Sequence, residues 1–252
     1  GFHRTEELQE LLKEFSVRYT KDKCLDLPEK VYMRREVELT KEQKKAYEQM
    51  KKEALMVLRD EVYTTQTVLT QLMRLQQVVA GSLRSPSGEL VLLPNNRIKE
   101  TLSILEEVSG KAIIFAVFQT DIEALTKAIA EVYGEDSVAS YYGKTPNGER
   151  ERILEDFQDK NSPLRFFVSN PHTGGRGLTL TEASYMIFYC NSYDLELRIQ
   201  AEDRIHRIGQ DKSCTYIDLV CPGTIDEKIL EALKKKVSIS NKVLGEVKKW
   251  FE

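Results

Sequence analysis

Ala112-Ile113-Ile114-Phe115-Ala116-Val117-Phe118 is an unbroken apolar run. Its length suits a strand, and the lack of polar alternation means that both of its faces must be covered. Apolar residues at helical spacing follow over about 120–132. The same exchange repeats down the chain. Residues 138–142, 164–169, 185–189 and 214–220 read as strands. Residues 147–157 read as a helix carrying Arg150, Arg152 and Asp156 outward, a glycine-rich loop occupies 174–177, and another helix surrounds Gln200. Strand and helix in regular turn predict an α/β fold with a doubly wound parallel sheet. Such sheets carry their working residues in loops beyond the carboxyl ends of the strands. The final stretch, 224 to about 249, predicts one long C-terminal helix with Ile225, Ile229, Leu233, Val237 and Leu244 roughly on one side.

The front of the chain is built differently. Residues 3–16 look helical, and 31–39 alternate like an edge strand. Thr40-Lys41-Glu42-Gln43 is a capping box that opens a long helix. A second helix, over about 65–80, stops at Gly81. Residues 82–96, with Pro86, Gly88 and Pro94, predict a loop holding a short hairpin. The organisation expected is a helical protrusion over 1–95 attached to an α/β lobe over 96–252.

Of the 252 residues, 41% are hydrophobic and 31% charged, which is ample for a globular core. No apolar run is long enough to span a bilayer and no secretory signal opens the chain, so no membrane partner is expected. Cys24, Cys190, Cys214 and Cys221 are scattered, without a CxxC pair or a His at ligand spacing. That pattern predicts reduced thiols in an intracellular protein, and no metal site. A net charge of −3 lacks the basic excess usual in nucleic-acid binders, so any such contact must rest on a local patch. The chain begins on Gly1 rather than Met and reads as a piece of a longer protein.

Gln200-Ala201-Glu202-Asp203-Arg204-Ile205-His206-Arg207-Ile208-Gly209-Gln210 carries the most chemistry. On a continuous helix Gln200, Asp203, Arg204 and Arg207 share one face, while Leu197, Ala201, Ile205 and Ile208 form an apolar stripe. Taken alone, the polar face describes solvated helix, with Asp203 and Arg207 an ordinary i, i+4 ion pair. Two guanidiniums aimed from a rigid element also suit phosphate oxygens, and charge stabilisation in phosphoryl transfer calls for them. The complete string closely resembles motif VI of superfamily-two helicases and translocases, in the form used by the Swi/Snf family.

Other stretches extend the resemblance over nearly the whole chain. Ser169-Asn170-Pro171-His172-Thr173-Gly174-Gly175-Arg176-Gly177-Leu178-Thr179-Leu180 looks like motif V, with His172 where the family commonly has Arg and Thr179 where it has Asn. Phe118-Gln119-Thr120 looks like motif IV. Tyr141-Tyr142-Gly143-Lys144-Thr145, before a helix that bears Arg150 and ends in Phe157, looks like the family's strand-end phosphate-contacting turn. Residues 14–21 and 27–30 resemble the segment between the family's two lobes, and 215–219 with 223–229 resemble the strand and helix that come after motif VI. Tyr193-Asp194-Leu195 replaces the family's Trp-Asn-Pro, which is expected to place the chain nearer an annealing-helicase-like or bacterial and phage branch.

The resemblance implies a RecA-like second lobe of an ATP-dependent double-stranded DNA translocase. Arg204 and Arg207 would contact the γ-phosphate of ATP held by a first lobe, with Gln200 ordering that contact and Gly175, Gly177 and Asp203 on the nucleotide side. Gln119, Thr120, Gly143, Lys144, Thr145, His172, Thr173 and Gly174 would meet the DNA backbone. The chain contains no GxxxxGK[ST] loop and no DEAH-like acidic pair. In this family both belong to the first lobe, together with most of the ATP and Mg²⁺ contacts. The lobe alone is therefore expected to be inactive, and its partners to be duplex DNA and the N-terminal lobe of the same polypeptide. The expected location is bacterial or phage-infected cytoplasm, or the nucleus of a eukaryote. Two other readings keep the fold: a motor directed at RNA or a polymerase complex, and a non-catalytic interaction module.

Overall fold

The structure, a computed structural model, describes residues 7, 10–11, 15–16, 24–60, 65–84, 89–174 and 177–235. Its elements in chain order are β1 (Lys30–Glu36), α1 (Lys41–Asp60), α2 (Thr65–Ala80), β2 (Ser82–Arg84), β3 (Leu90–Leu92), α3 (Arg97–Glu107), β4 (Lys111–Phe115) and α4 (Gln119–Tyr133). There follow β5 (Val138–Tyr141), α5 (Asn147–Gln158), β6 (Phe166–Ser169), the single turn α6 (Pro171–Gly174), β7 (Ala183–Phe188), α7 (Leu195–Glu202), β8 (Cys214–Val220) and α8 (Ile225–Lys234). Six strands form one parallel sheet in the order β1-β8-β7-β4-β6-β5. All five residues of β4 are buried, as its unbroken apolar run requires. One face of the sheet packs Ile104, Ile122, Leu125, Ile129, Ile225 and Ile229 from α3, α4 and α8. The other packs Phe157 and Ala201 from α5 and α7, with Ile205 just beyond. The sheet is thus doubly wound, as the alternation of strands and helices demands.

The front segment is joined to this sheet. β1 pairs with β8 from Lys30 opposite Cys214 to Glu36 opposite Val220, so the alternating stretch becomes an edge strand of the main sheet. The capping box forms as written: Thr40 N–H donates to Gln43 Oε1 at 3.1 Å and Gln43 N–H to Thr40 Oγ1 at 3.2 Å. Gln43 Nε2 also donates to Val78 and Val79 carbonyls, both at 3.0 Å, pinning α1 to α2. α2 ends where Gly81 takes φ +107°, and β2 and β3 make the expected hairpin.

Three expectations need correction. The run 112–118 is strand only to Phe115, and Phe118 caps α4 instead. Arg150 does not point outward; its Nε and Nη2 donate to the Thr145 and Tyr142 carbonyls, both at 3.1 Å. The helix around Gln200 stops at Glu202, and Ile208, expected in the apolar stripe, is 73% exposed. Of the predicted C-terminal helix, α8 is described to Lys234, with Ile225, Ile229 and Leu233 buried. Val237 and Leu244, and most of the predicted helix over 3–16, lie outside the described residues. No helix among the described residues is long and apolar enough to cross a membrane. Cys190, Cys214 and Cys221 are buried free thiols and Cys24 an exposed one. Among the described residues no group of three or more His, Cys, Asp or Glu is placed to hold a metal.

Asp121 is an exception to the polar bookkeeping of the interior. It is 5% exposed, and among the described residues its Oδ2 has no hydrogen-bond partner. Burial pushes its carboxyl up to about 8, against the opposing charge of Arg97. The folded chain therefore holds this proton where the unfolded chain has released it. The stabilisation is complete below the ordinary aspartate value and fades as pH rises towards 8. In denaturant titrations, Asp121→Asn is expected to be more stable than the parent at pH 8, with the gap closing as pH falls to 5. A gap independent of pH would contradict this.

Candidate functional site at the carboxyl edge of the sheet

The loops beyond β4, β5, β6 and β7 all leave the sheet at its carboxyl edge, because every strand runs the same way. α7 starts under a side-chain cap, Asp194 Oδ1 accepting from Glu196 N at 2.9 Å and Leu197 N at 3.2 Å. Its inner side is anchored by charge. Arg198 Nε donates to Glu202 Oε1 at 2.8 Å, and its Nη2 to Asp218 Oδ2 at 3.2 Å. Glu202 Oε2 accepts from Tyr32 Oη at 2.7 Å and from Lys30 Nζ at 3.2 Å, which ties the helix end to β1.

Past Glu202 the chain turns. Ile205 is fully buried, and Gln210 Nε2 donates to the carbonyls of Thr181 at 3.0 Å, Ala183 at 2.9 Å and Ile205 at 3.1 Å. His206 Nε2 lies 2.8 Å from the Pro28 carbonyl, fastening the same turn to the front segment. Held from both sides, the turn brings two arginines together. Arg204 Nε donates to the Gln200 carbonyl at 2.9 Å and its Nη1 to the Leu178 carbonyl at 3.0 Å. Arg207 Nη1 reaches the same Leu178 carbonyl at 3.4 Å. Burial lowers Arg204 from the usual guanidinium value, and the neighbouring Arg207 charge lowers it further against the help of Asp203. A half-buried cationic pair resting on a carbonyl has the chemistry of an anion site. The Gln200 side chain instead donates to Glu196 Oε1 at 2.9 Å. Gly177 is exposed at φ +72°, and Gly175 lies outside the described residues.

The loop after β6 is stitched to its neighbours. Ser169 Oγ donates to the Tyr141 carbonyl at 2.5 Å and Asn170 Nδ2 to the Val117 carbonyl at 2.6 Å. Asn170 Oδ1 accepts from His172 N at 2.8 Å. Gly174 sits so close to Ser169 that a Cβ there would clash with the Ser169 hydroxyl and lie 3.2 Å from Phe115. His172 is exposed and Thr173 half-buried. The bracing role of Asn170 was not read from the sequence, although an Asn directly after a strand and before a helical turn is a usable signal.

On the far side, Gln119 and Thr120 open α4, whose N-cap Phe118 supplies no side-chain acceptor. That leaves helix N–H groups available to an anion. Gly143 and Lys144 are exposed, and Lys144 Nζ pairs with Glu123 Oε1 at 2.9 Å. Thr145 is buried, and its hydroxyl accepts from Tyr142 N at 3.0 Å and donates to the Ser140 carbonyl at 3.1 Å. It shapes the turn that presents Lys144.

Residues 95–209 match the helicase conserved C-terminal domain. The chain is 27% identical, over 96% of its length, to a putative ATP-dependent helicase/translocase of Bacillus subtilis, YwqA, and spans 27% of that protein. It is 32% identical over 65% of its length to the human chromatin-remodeling ATPase INO80, and spans 10% of it. The chain therefore covers only a minor part of these relatives. Among solved structures it resembles the Sulfolobus solfataricus SWI2/SNF2 ATPase core in complex with dsDNA, with a TM-score of 0.66 at 27% identity, over 96% of this chain and 53% of that one. The parallel sheet and these likenesses together give the chain a RecA-like fold and a helicase conserved C-terminal domain over residues 95–209, with relatives and structural neighbours among the Swi/Snf-type helicases and translocases.

Proposed function

We propose that residues 96–252 act as the second motor lobe of an ATP-dependent double-stranded DNA translocase. Residues 1–95 form the protrusion between lobes, which also lends the lobe its edge strand. The observation that carries this reading is the meeting of Arg204 and Arg207 at the Leu178 carbonyl. The acceptor is neutral, so the pair keeps its charge for an incoming anion. ATP and Mg²⁺, held chiefly by a first lobe elsewhere in the polypeptide, supply the phosphoryl group and its charge. Arg204 and Arg207 stabilise that charge, Asp203 offsets part of what burial and Arg207 take from Arg204, and Gly177 lets the loop approach closely. Gln200 orders the arginines through its main-chain carbonyl. On the other side Gln119, Thr120, Gly143, Lys144, His172 and Thr173 face the DNA backbone, with Thr145 and the buried Gly174 bracing them. Leu178 belongs to the same loop, so arginines leaving its carbonyl release a restraint on the DNA face. The lobe alone lacks the phosphate loop and is inactive. The protein acts inside the cell, where ATP and DNA are both at hand.

The test is ATP hydrolysis by the intact protein with duplex DNA, single-stranded DNA and RNA as stimulants, across a salt series. Duplex DNA of any sequence is expected to stimulate most, and less as salt rises, because phosphate contacts carry no sequence information. Stimulation by RNA alone would move the reading to an RNA-directed motor. No stimulation by any nucleic acid would sink it.

A further inference from the structure

Glu123 lies one helical turn below Gln119 and Thr120 on α4, and so shares their face. Its Oε1 accepts from two donors of the β5–α5 turn, Lys144 Nζ at 2.9 Å and Tyr142 Oη at 3.0 Å. One anionic oxygen therefore bridges the two elements that the proposed function assigns to the nucleic-acid backbone. We propose that Glu123 is a built-in competitor for the backbone phosphate: it occupies the place beside Lys144 and Tyr142 that a phosphodiester oxygen takes, and sets how readily this face releases nucleic acid. The proposal rests on the reading of this edge as a phosphate-binding face.

The chemistry of the exchange is balanced. A carboxylate oxygen and a phosphate oxygen are equivalent acceptors for an ammonium and a phenol, so one replaces the other with no donor left unmet. The hydrogen bonds from Lys144 and then Tyr142 hold the Glu123 carboxyl below its usual value, so it is charged at neutral pH. Its side chain is 48% exposed and that of Lys144 63%, so an incoming strand can reach both. Such an exposed pair adds little to the stability of the fold, and removing it leaves the lobe intact. It matters to binding because a lysine already neutralised by its own protein gains less from neutralising a phosphate and releases fewer counterions. This face thereby gains a release mechanism suited to a protein that must let go of one phosphate to take the next.

The experiment is a fluorescence-anisotropy titration of a labelled mixed-sequence duplex with the intact protein, over a salt series. The variants are Glu123→Gln, Lys144→Ala and the two combined. Glu123→Gln is expected to tighten binding about 3–10-fold at low salt. It is also expected to steepen the plot of log affinity against log salt by up to about one unit. In the Lys144→Ala background the same change is expected to do nothing. Equal tightening in both backgrounds would show mere long-range repulsion by Glu123 and overturn the proposal, as would no tightening in the parent. Both results leave the nucleic-acid reading standing. Failure of the parent protein to bind any duplex overturns that reading and the proposal together.

Discussion

Arg207→Ala in the intact protein is expected to abolish ATP turnover while leaving duplex DNA affinity within a few fold of the parent. Arg207 is half-buried, and its guanidinium is directed to the Leu178 carbonyl beside Arg204. Its acceptor is a main-chain carbonyl that also receives Arg204 at 3.0 Å, so that oxygen keeps a donor when Arg207 is removed. The fold should therefore survive the change. On the proposed function the charge it removes is one that phosphoryl transfer needs, and an arginine supplied across an interface is worth roughly 10³–10⁵ in rate in comparable systems. Arg207→Lys is expected to recover only part of the rate, since an ammonium keeps the charge and loses the planar fork. Steady-state ATP hydrolysis at saturating DNA, with anisotropy binding run in parallel, reads both quantities. DNA-stimulated hydrolysis surviving within a few fold would remove Arg207 from the nucleotide site. Loss of binding together with turnover would place it on the DNA face instead.

The second large effect concerns stability. Arg97 is 1% exposed, and it gathers four segments of the chain around one side chain. Its Nε donates to the Val79 carbonyl at 3.2 Å at the end of α2, and its Nη1 to the carbonyls of Tyr189, after β7, and Leu219, in β8. Its Nη2 pairs with Asp226 on α8, and its guanidinium lies 5.7 Å from the Tyr189 ring centre. Burial works against this charge, and the Asp226 carboxylate, helped by Cys221, Tyr189 and Cys190, more than offsets it, so the guanidinium is held above its ordinary value. Arg97→Met keeps the length and strands Asp226 as an unpaired interior charge, which costs on the order of 3–5 kcal/mol. The urea midpoint should fall accordingly. Adding Asp226→Asn should return much of the loss, because the stranded charge is its main cause. A single variant within about 1 kcal/mol of the parent would mean that the interior readily solvates Asp226.

Where the sequence predicted well, the information was local. The capping box of Thr40 and Gln43 needs residues three apart, and the stop of α2 needs only a backbone position that glycine tolerates. The apolar run in β4 declares its own burial. The five strands of the α/β lobe followed from such signals, while residues 31–39 read only as an edge strand of the front segment. The weaker readings were those in which a side chain answers to a distant partner. Thr145 offers a hydroxyl in sequence, and the turn takes it up through Tyr142 N and the Ser140 carbonyl. Helical spacing after Gln200 assigned Ile208 to the core, but the helix ends at Glu202, whose carboxylate is claimed by Tyr32 and Lys30 from the other end of the chain.

The sequence by itself determined the alternation of strand and helix, the start of α1 and the stop of α2. All of these are properties of neighbours within a few positions. Only the tertiary structure decided that β1 closes the same sheet, that Arg97 ties α2 to α8, and that Arg204 and Arg207 meet on a turn rather than along a helix face. Each of those outcomes depends on groups far apart in sequence competing for the same buried donors and acceptors. Such a competition is settled only when the chain has packed and water has been excluded.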